Sequence, residues 1–219
     1  MMQKTEMHEL VFEAVEPAEG DGRIDGPCRL PATLPWPVGG DSHPLFHLLS
    51  IPLVWLVPDV PPNRLAERWV SVFIAYDASG YSHYAAMSSD EPDHADAVVV
   101  LHDGSGPERS MHPRQGLTSR QVRREPRSAG DDDVASYIGS TPVWVQDPIF
   151  VEGFRWVMSL YGPDMDVALG GNRGILSDGV GYVFLKNASV REAGDGAEFD
   201  ANAFNQESFG PIGTFYLQL

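Results

Sequence analysis

The sequence predicts a β-rich α+β fold in which two related sheet units, produced by an internal duplication, pack into one compact domain. Two observations carry this reading. Short apolar runs rich in β-branched and aromatic residues recur along the chain, whereas periodic segments of helical length are scarce. In addition, three blocks recur in the same order. Leu30, Thr33 and Trp36 return as Ile138, Thr141 and Trp144, and Leu48-Leu49-Ser50-Ile51 returns as Val157-Met158-Ser159-Leu160. Val72-Phe73-Ile74 returns as Val183-Phe184-Leu185, trailed by Asp77-Ala78-Ser79 and Asn187-Ala188-Ser189, with all offsets between 108 and 111. Self-similarity in fixed order marks a repeated supersecondary unit. The expected organisation is an N-terminal strand and loop (1–27), a first repeat (28–103), a low-order Arg-containing connector (104–133) and a second repeat (134–219).

Taken in order, Glu9 to Val15 alternates in part and opens the chain as a strand, and the Gly- and Pro-punctuated stretch from Glu16 to Asp41 is loop. Phe46 to Ile51 and Leu53 to Val57 read as short strands parted by Pro52, which cannot donate to a ladder. Trp69 to Tyr76 is the clearest strand of the first half, and Ala97 to Leu101 reads as buried on both faces. Within the connector, Thr118 to Glu125 is expected as a helical turn capped by Thr118 or Ser119. The second half offers strands at Pro142 to Gln146, Phe154 to Tyr161, Gly181 to Leu185 and Gly213 to Leu219. Short helices are expected at Asn63 to Arg68 and Asp200 to Glu207.

With 219 residues, 42% of them hydrophobic, the chain is long enough to bury a real core. No apolar run reaches the roughly 18 residues of a transmembrane helix, and Met1 to Glu16 lacks the basic flank and apolar core of a signal peptide. A cytoplasmic protein without membrane contact is expected. The net charge of −16 is uneven, because residues 107–128 set six arginines against Glu108 and Glu125, which leaves about −20 elsewhere. Such a surface repels nucleic acid and steers a cationic partner. Cys28, the only cysteine, excludes an internal disulfide and reads as a small buried apolar residue, since no histidine stands near it in sequence.

The run Ile138-Gly139-Ser140-Thr141-Pro142-Val143-Trp144-Val145-Gln146-Asp147-Pro148, the strand Trp156 to Leu160, and Asp178-Gly179-Val180-Gly181-Tyr182-Val183-Phe184 together resemble the YwqG-like family, a bacterial domain of unknown function. Trp36-Pro37 and Pro44-Leu45-Phe46-His47-Leu48-Leu49 look like the corresponding segments of that family's first half, so the resemblance spans about residues 28 to 219. The chain departs from the pattern at Ser140, at Pro31-Ala32, and at Ser50 and Ser159, where the family's central strands carry glutamine. The resemblance implies a compact duplicated α+β fold. It also implies an association with toxin systems, in which small acidic proteins serve as immunity factors.

Catalytic patterns are weak. Asp93-His94-Ala95-Asp96 and His102-Asp103 flank one strand and are too far apart for one metal, while Pro44 removes the helix that would bring His43 and His47 together. No nucleophile elbow, phosphate loop or calcium loop occurs, and no cofactor or metal is expected. Trp36, Trp144 and Gln146 are the candidate binding residues, since tryptophans at equivalent places in two halves can line a groove or fill the two cores. The expected function is a non-catalytic protein-binding module, of the immunity type, that takes a basic protein. A small-ligand or metal-binding protein and an enzyme of unknown reaction are the alternatives.

Overall fold

In the computed structural model, residues 7–56, 67–77, 82–88, 96–128, 133–139, 141–170, 173–186 and 209–219 are described. Their strands are β1 (His8–Glu13), β2 (Gly22–Ile24), β3 (Phe46–Pro52), β4 (Arg68–Ile74), β5 (Ala97–Asp103), β6 (Arg120–Pro126), β7 (Tyr137–Ile138), β8 (Phe154–Tyr161), β9 (Val180–Lys186) and β10 (Gly210–Gln218). Every pairing is antiparallel, and the strands close into one barrel in the order β1-β6-β2-β3-β4-β5-β10-β9-β8-β7, with β7 returning to β1. This overturns the expected α+β fold of two sheet units. The described helices are a six-residue α1 (Ser82–Met87), an eight-residue α2 (Gly162–Leu169) and a 3-10 turn at Leu53–Trp55. None is long and apolar enough to cross a membrane.

The correction has a specific origin in β6. This strand lies inside the stretch expected to be a low-order connector, where a helical turn was also expected, yet it pairs along β1 on one side and β2 on the other. Of its residues only Val122 is buried in the core, so the alternation that announces a strand is missing. Two of its arginines meet partners distant in the chain. Arg123 pairs with Glu13 at 2.8 Å, and the Arg124 guanidinium lies 5.7 Å from the Trp55 ring centre. Two smaller expectations also change: Leu53–Trp55 is a 3-10 turn and Pro142 to Gln146 is not a strand. The helix expected at 200–207 and most of the one expected at 63–68 lie outside the described residues.

What recurs in the chain is half a barrel. The pairs Phe46↔Ile74, His47↔Phe73, Leu49↔Val72, Ser50↔Ser71, Ile51↔Val70 and Pro52↔Trp69 join β3 to β4. They return between β8 and β9 as Arg155↔Leu185, Trp156↔Phe184, Met158↔Val183, Ser159↔Tyr182, Leu160↔Gly181 and Tyr161↔Val180. Each ladder skips one residue at the same place, Leu48 in β3 and Val157 in β8. Leu30 and Ile138 are not equivalent, because Ile138 faces Met158 in the position that Ile24 takes opposite Leu49. The first strand of each half crosses into the other: β1 pairs with β7, and β6 pairs with β2.

Because β3 and β8 run in opposite directions, each half closes one mouth. Leu53 and Leu56 plug the mouth where β3 ends. At the other, α2 contributes Met165 and Ala168, and Ile175 and Leu176 follow it. The interior between them is filled by apolar side chains, among them Ile24, Phe46, Ile51, Val72, Val99 and Phe215.

The two halves divide interior volume differently. Val70 and Val99 in one correspond to Gly181 and Phe215 in the other, where the Phe215 ring occupies the space a Gly181 side chain would need. Gly181→Val is therefore expected to destabilise by about 1–3 kcal/mol through overpacking. The double variant Gly181→Val/Phe215→Val recreates the valine pair and is expected to restore most of that loss, as read from thermal unfolding midpoints.

Candidate functional site

Each half lays the connection before its long bulged strand across the outer face of its own sheet. Residues 25–45 form a first flap over β3, β4 and β5, where Cys28, Leu30, Trp36 and Leu45 pack on Phe73 and Val100. Residues 141–153 form a second flap over β8, β9 and β10, where Val143, Trp144, Ile149 and Val151 pack on Tyr182, Phe184 and Tyr216. The bulges matter here. Residues three apart in a regular strand face opposite sides, but the extra residue Leu48 turns His47 and Ser50 to the same outer face.

Under the first flap those side chains form a buried chain. His47 Nε2 lies 2.7 Å from Ser50 Oγ, Ser50 Oγ lies 2.5 Å from Ser71 Oγ, and Ser71 Oγ lies 2.7 Å from His102 Nε2. The outer nitrogens face carbonyls, His47 Nδ1 at 3.1 Å from Gly26 O and His102 Nδ1 at 2.7 Å from Asp103 O. Cys28 Sγ sits over the middle, 3.5 Å from Ser71 Oγ and 3.9 Å from Ser50 Oγ. All five residues are buried.

Counting protons narrows the states open to this chain. A carbonyl only accepts, so both imidazoles carry hydrogen on Nδ1, and in a neutral ring Nε2 is then an acceptor. Three gaps separate the four atoms from Nε2 to Nε2, and two serines supply two protons. With neutral rings one gap holds two facing lone pairs, and a thiol hydrogen fills none of the three. One further proton on an imidazole would complete the chain, and its transfer from the thiol would leave Cys28 Sγ facing hydroxyls whose protons are engaged within the chain. Burial pushes the Cys28 thiol up, but the charge of His47 and hydrogen bonding from both imidazoles outweigh it and hold the thiol well below its ordinary range. Burial lowers His47, and the Cys28 charge more than compensates, raising it above its ordinary value. Both shifts run in the direction of charge separation, a thiolate beside an imidazolium, across the two hydroxyls.

The second flap fills the equivalent positions with anchors. Where the first half has Ser71 and His102, the second has Tyr182 and Gln218. Tyr182 Oη donates to Val143 O at 2.9 Å and accepts from Val145 N at 3.1 Å. Gln218 Nε2 donates to Asp147 O at 2.7 Å, while its Oε1 accepts from Gln146 N at 3.2 Å. The flap is thereby held with Val145 and Phe150 facing outward, Phe150 being 90% exposed between the exposed Asp147 and Glu152.

Of the sequence-predicted binding residues, Trp36 is buried, with its ring 5.1 Å from and edge-on to Phe73 and its Nε1 donating to Leu45 O. Trp144 is half-buried, its ring tilted against Tyr182 and stacked over Phe184. The exposed Gln146 reaches back to donate to the Leu219 main-chain oxygen at 2.6 Å. Each tryptophan thus serves its own flap, and the two do not meet. Sequence reasoning missed the Cys28 cluster because its members come from four separate segments. The available signal was polar interruption of apolar strands, by His47 and Ser50 in β3, Ser71 in β4 and His102 in β5. His43 is exposed on the flap and takes no part, and Asp93 and His94 lie outside the described residues. Among the described residues, His, Cys, Asp and Glu nowhere gather in a group of three able to hold a metal.

No family model matches the chain, and no curated protein matches it.

The paired shifts predict a pH signature. Lowering the folded Cys28 value from about 9.0 adds stability that is complete above 9.0 and is lost as pH falls. Raising the folded His47 value from about 6.5 adds stability that is complete below 6.5 and is lost as pH rises. Between 6.5 and 9.0 the two slopes oppose. The stability difference between wild type and Cys28→Ala/His47→Gln, which lacks both groups, should therefore be level in that window and shrink on both sides of it, as measured by denaturant unfolding at matched ionic strength.

Proposed function

We propose that this protein is a non-catalytic binding module that docks a basic protein on its second flap, in the immunity style implied by its resemblance to the YwqG-like family. The observation that carries the reading is Phe150, an aromatic ring 90% exposed on a loop whose backbone is pinned from Val143 to Asp147. A rigid loop loses little entropy on binding, and an aromatic anchor at the centre of a contact contributes most of its energy. Asp147 and Glu152 supply an acidic rim. Part of the basic segment's charge is engaged within the fold. Arg109 donates to Pro31 O and Leu34 O, Arg123 pairs with Glu13, and Arg124 lies against Trp55. The remaining charge of about −20 steers a cationic partner and accelerates encounter.

Affinity capture from source cells with the wild type, with Phe150→Ala and with Asp147→Lys/Glu152→Lys tests the proposal. A basic protein should be retained by the wild type alone. Phe150→Ala should weaken its binding about tenfold or more, mainly through faster dissociation. Charge reversal should slow association and flatten its salt dependence. An identical captured set for all three proteins, or an association rate indifferent to salt, would sink the reading.

A further inference from the structure

We propose that Cys28 is a thiolate site for small, uncharged hydroperoxides, which oxidise it to a sulfenic acid that external thiol reduces. The site lies under the first flap and does not depend on the binding surface of the second. Three observations support it. The His47-Ser50-Ser71-His102 chain joins two imidazoles through two hydroxyls, and Cys28 Sγ adjoins both hydroxyls. A cleft of about 270 Å³ opens beside the cluster, walled by Leu34, Pro35, Leu45, Val98, Val100 and Pro211. Leu45 and Val100 belong both to that wall and to the apolar cluster around Cys28, so the cleft abuts the packing that covers the sulfur.

The chemistry follows from what the neighbours can and cannot supply. Acyl transfer needs free donors for an oxyanion, but the Cys28 N–H is already bonded to Arg109 O at 2.9 Å, and the His47 N–H to Gln115 Oε1 at 2.9 Å. Peroxide reduction needs no oxyanion site. It needs a thiolate, a proton for the leaving oxygen and access for a molecule of few atoms. Sγ attacks the terminal oxygen of R–O–OH, the S–O bond forms and the O–O bond breaks, and sulfur gives up two electrons. The departing RO⁻ takes the hydroxyl proton of the adjoining serine, which is refilled from the imidazolium Nε2, leaving Cys28–SOH, ROH and a neutral imidazole. Cys28 is the only cysteine in the 219 residues, so no partner thiol in them resolves the product. A low-molecular-weight thiol R′SH instead forms Cys28–S–SR′ and water, and a second R′SH releases Cys28–SH and R′SSR′.

The test treats the reduced full chain with hydrogen peroxide in the presence of dimedone and follows adduct formation by mass spectrometry. A single adduct on Cys28 is expected, formed at pH 7 about tenfold or more faster than on free cysteine. Its rate should be nearly equal at pH 6 and pH 8, over which an ordinary thiol of pKa about 8.5 gains nearly two orders of magnitude. His47→Gln should slow the reaction at pH 7 about tenfold and restore the steep pH dependence. The wild-type pH profile, repeated with iodoacetamide, decides the matter on its own if that variant fails to fold. Absence of the adduct, an adduct formed only on unfolded protein, or a rate that climbs with pH like that of an ordinary thiol would overturn the proposal.

Discussion

Closure of the barrel rests on the ladder between β1 and β6, which runs from His8↔Pro126 to Glu13↔Gln121. Without it each half would end in a strand with unpaired amides and carbonyls, and an open edge of that kind recruits further strands. The exchange of first strands between the halves is what makes the closure possible. It also explains why the repeat is not two sheets. Neither half possesses its own complete set of neighbours, since β2 needs β6 from the second half and β7 needs β1 from the first. At one mouth a buried ionic node adds to this seam. Asp25 accepts from Gln115 Nε2 and Gly116 N and pairs with Arg173, whose guanidinium also donates to Arg114 O. A carboxylate 5% exposed is tolerable only while those partners stay in place.

On this frame a one-residue bulge has been kept in both halves and put to two uses. In β8 it brings Trp156 and Ser159 to the outer face, beside Tyr182 and Gln218, which hold a loop to the wall. In β3 the same irregularity brings His47 and Ser50 together, and their neighbours Ser71 and His102 bond to this pair's chain instead of to the flap. The first flap is held by β3 at Asp25 and Gly26 and also by residues outside the sheet. Arg109 donates to Pro31 O and Leu34 O, and Cys28 exchanges both main-chain hydrogen bonds with Arg109. The second flap is anchored by the sheet below it, and the first both by its own sheet and by the segment around Arg109.

The legibility of this protein in its sequence follows the same division. The strands β3, β4, β5, β8, β9 and β10 were readable, because each is an apolar run whose two faces are both covered, one by the barrel interior and one by a flap. Strands β1 and β2 were readable only in part or not at all, and β6 not at all. β2 has three residues, and β6 sends Val122 inward amid arginines whose partners lie far away in the chain. Closure was invisible for the same reason, since it is a property of those weak strands. The recurring blocks disclosed the equivalence of the halves but not the strand exchange, as similarity carries no information about pairing. Trp36 and Trp144 were legible as equivalent residues, and the structure places each on the matching ring, Phe73 or Phe184. Cys28 was read without its histidines because only the bulge and the pairing of β3, β4 and β5 bring them to it.

The strand exchange also governs the order in which the molecule can assemble. The partners of β1 lie between 108 and 118 residues downstream on β6, and β7 lies further along. A chain growing from a ribosome therefore presents β1 long before anything exists for it to pair with, while β3, β4 and β5 can form a local meander from nearby residues. The N-terminal strand must wait as an unstructured leader until the middle of the chain has emerged, and it closes the barrel as a late, long-range step. A circular permutant that joined the present termini and opened the chain between β5 and β6 would reverse this order, giving β6 the long wait in place of β1.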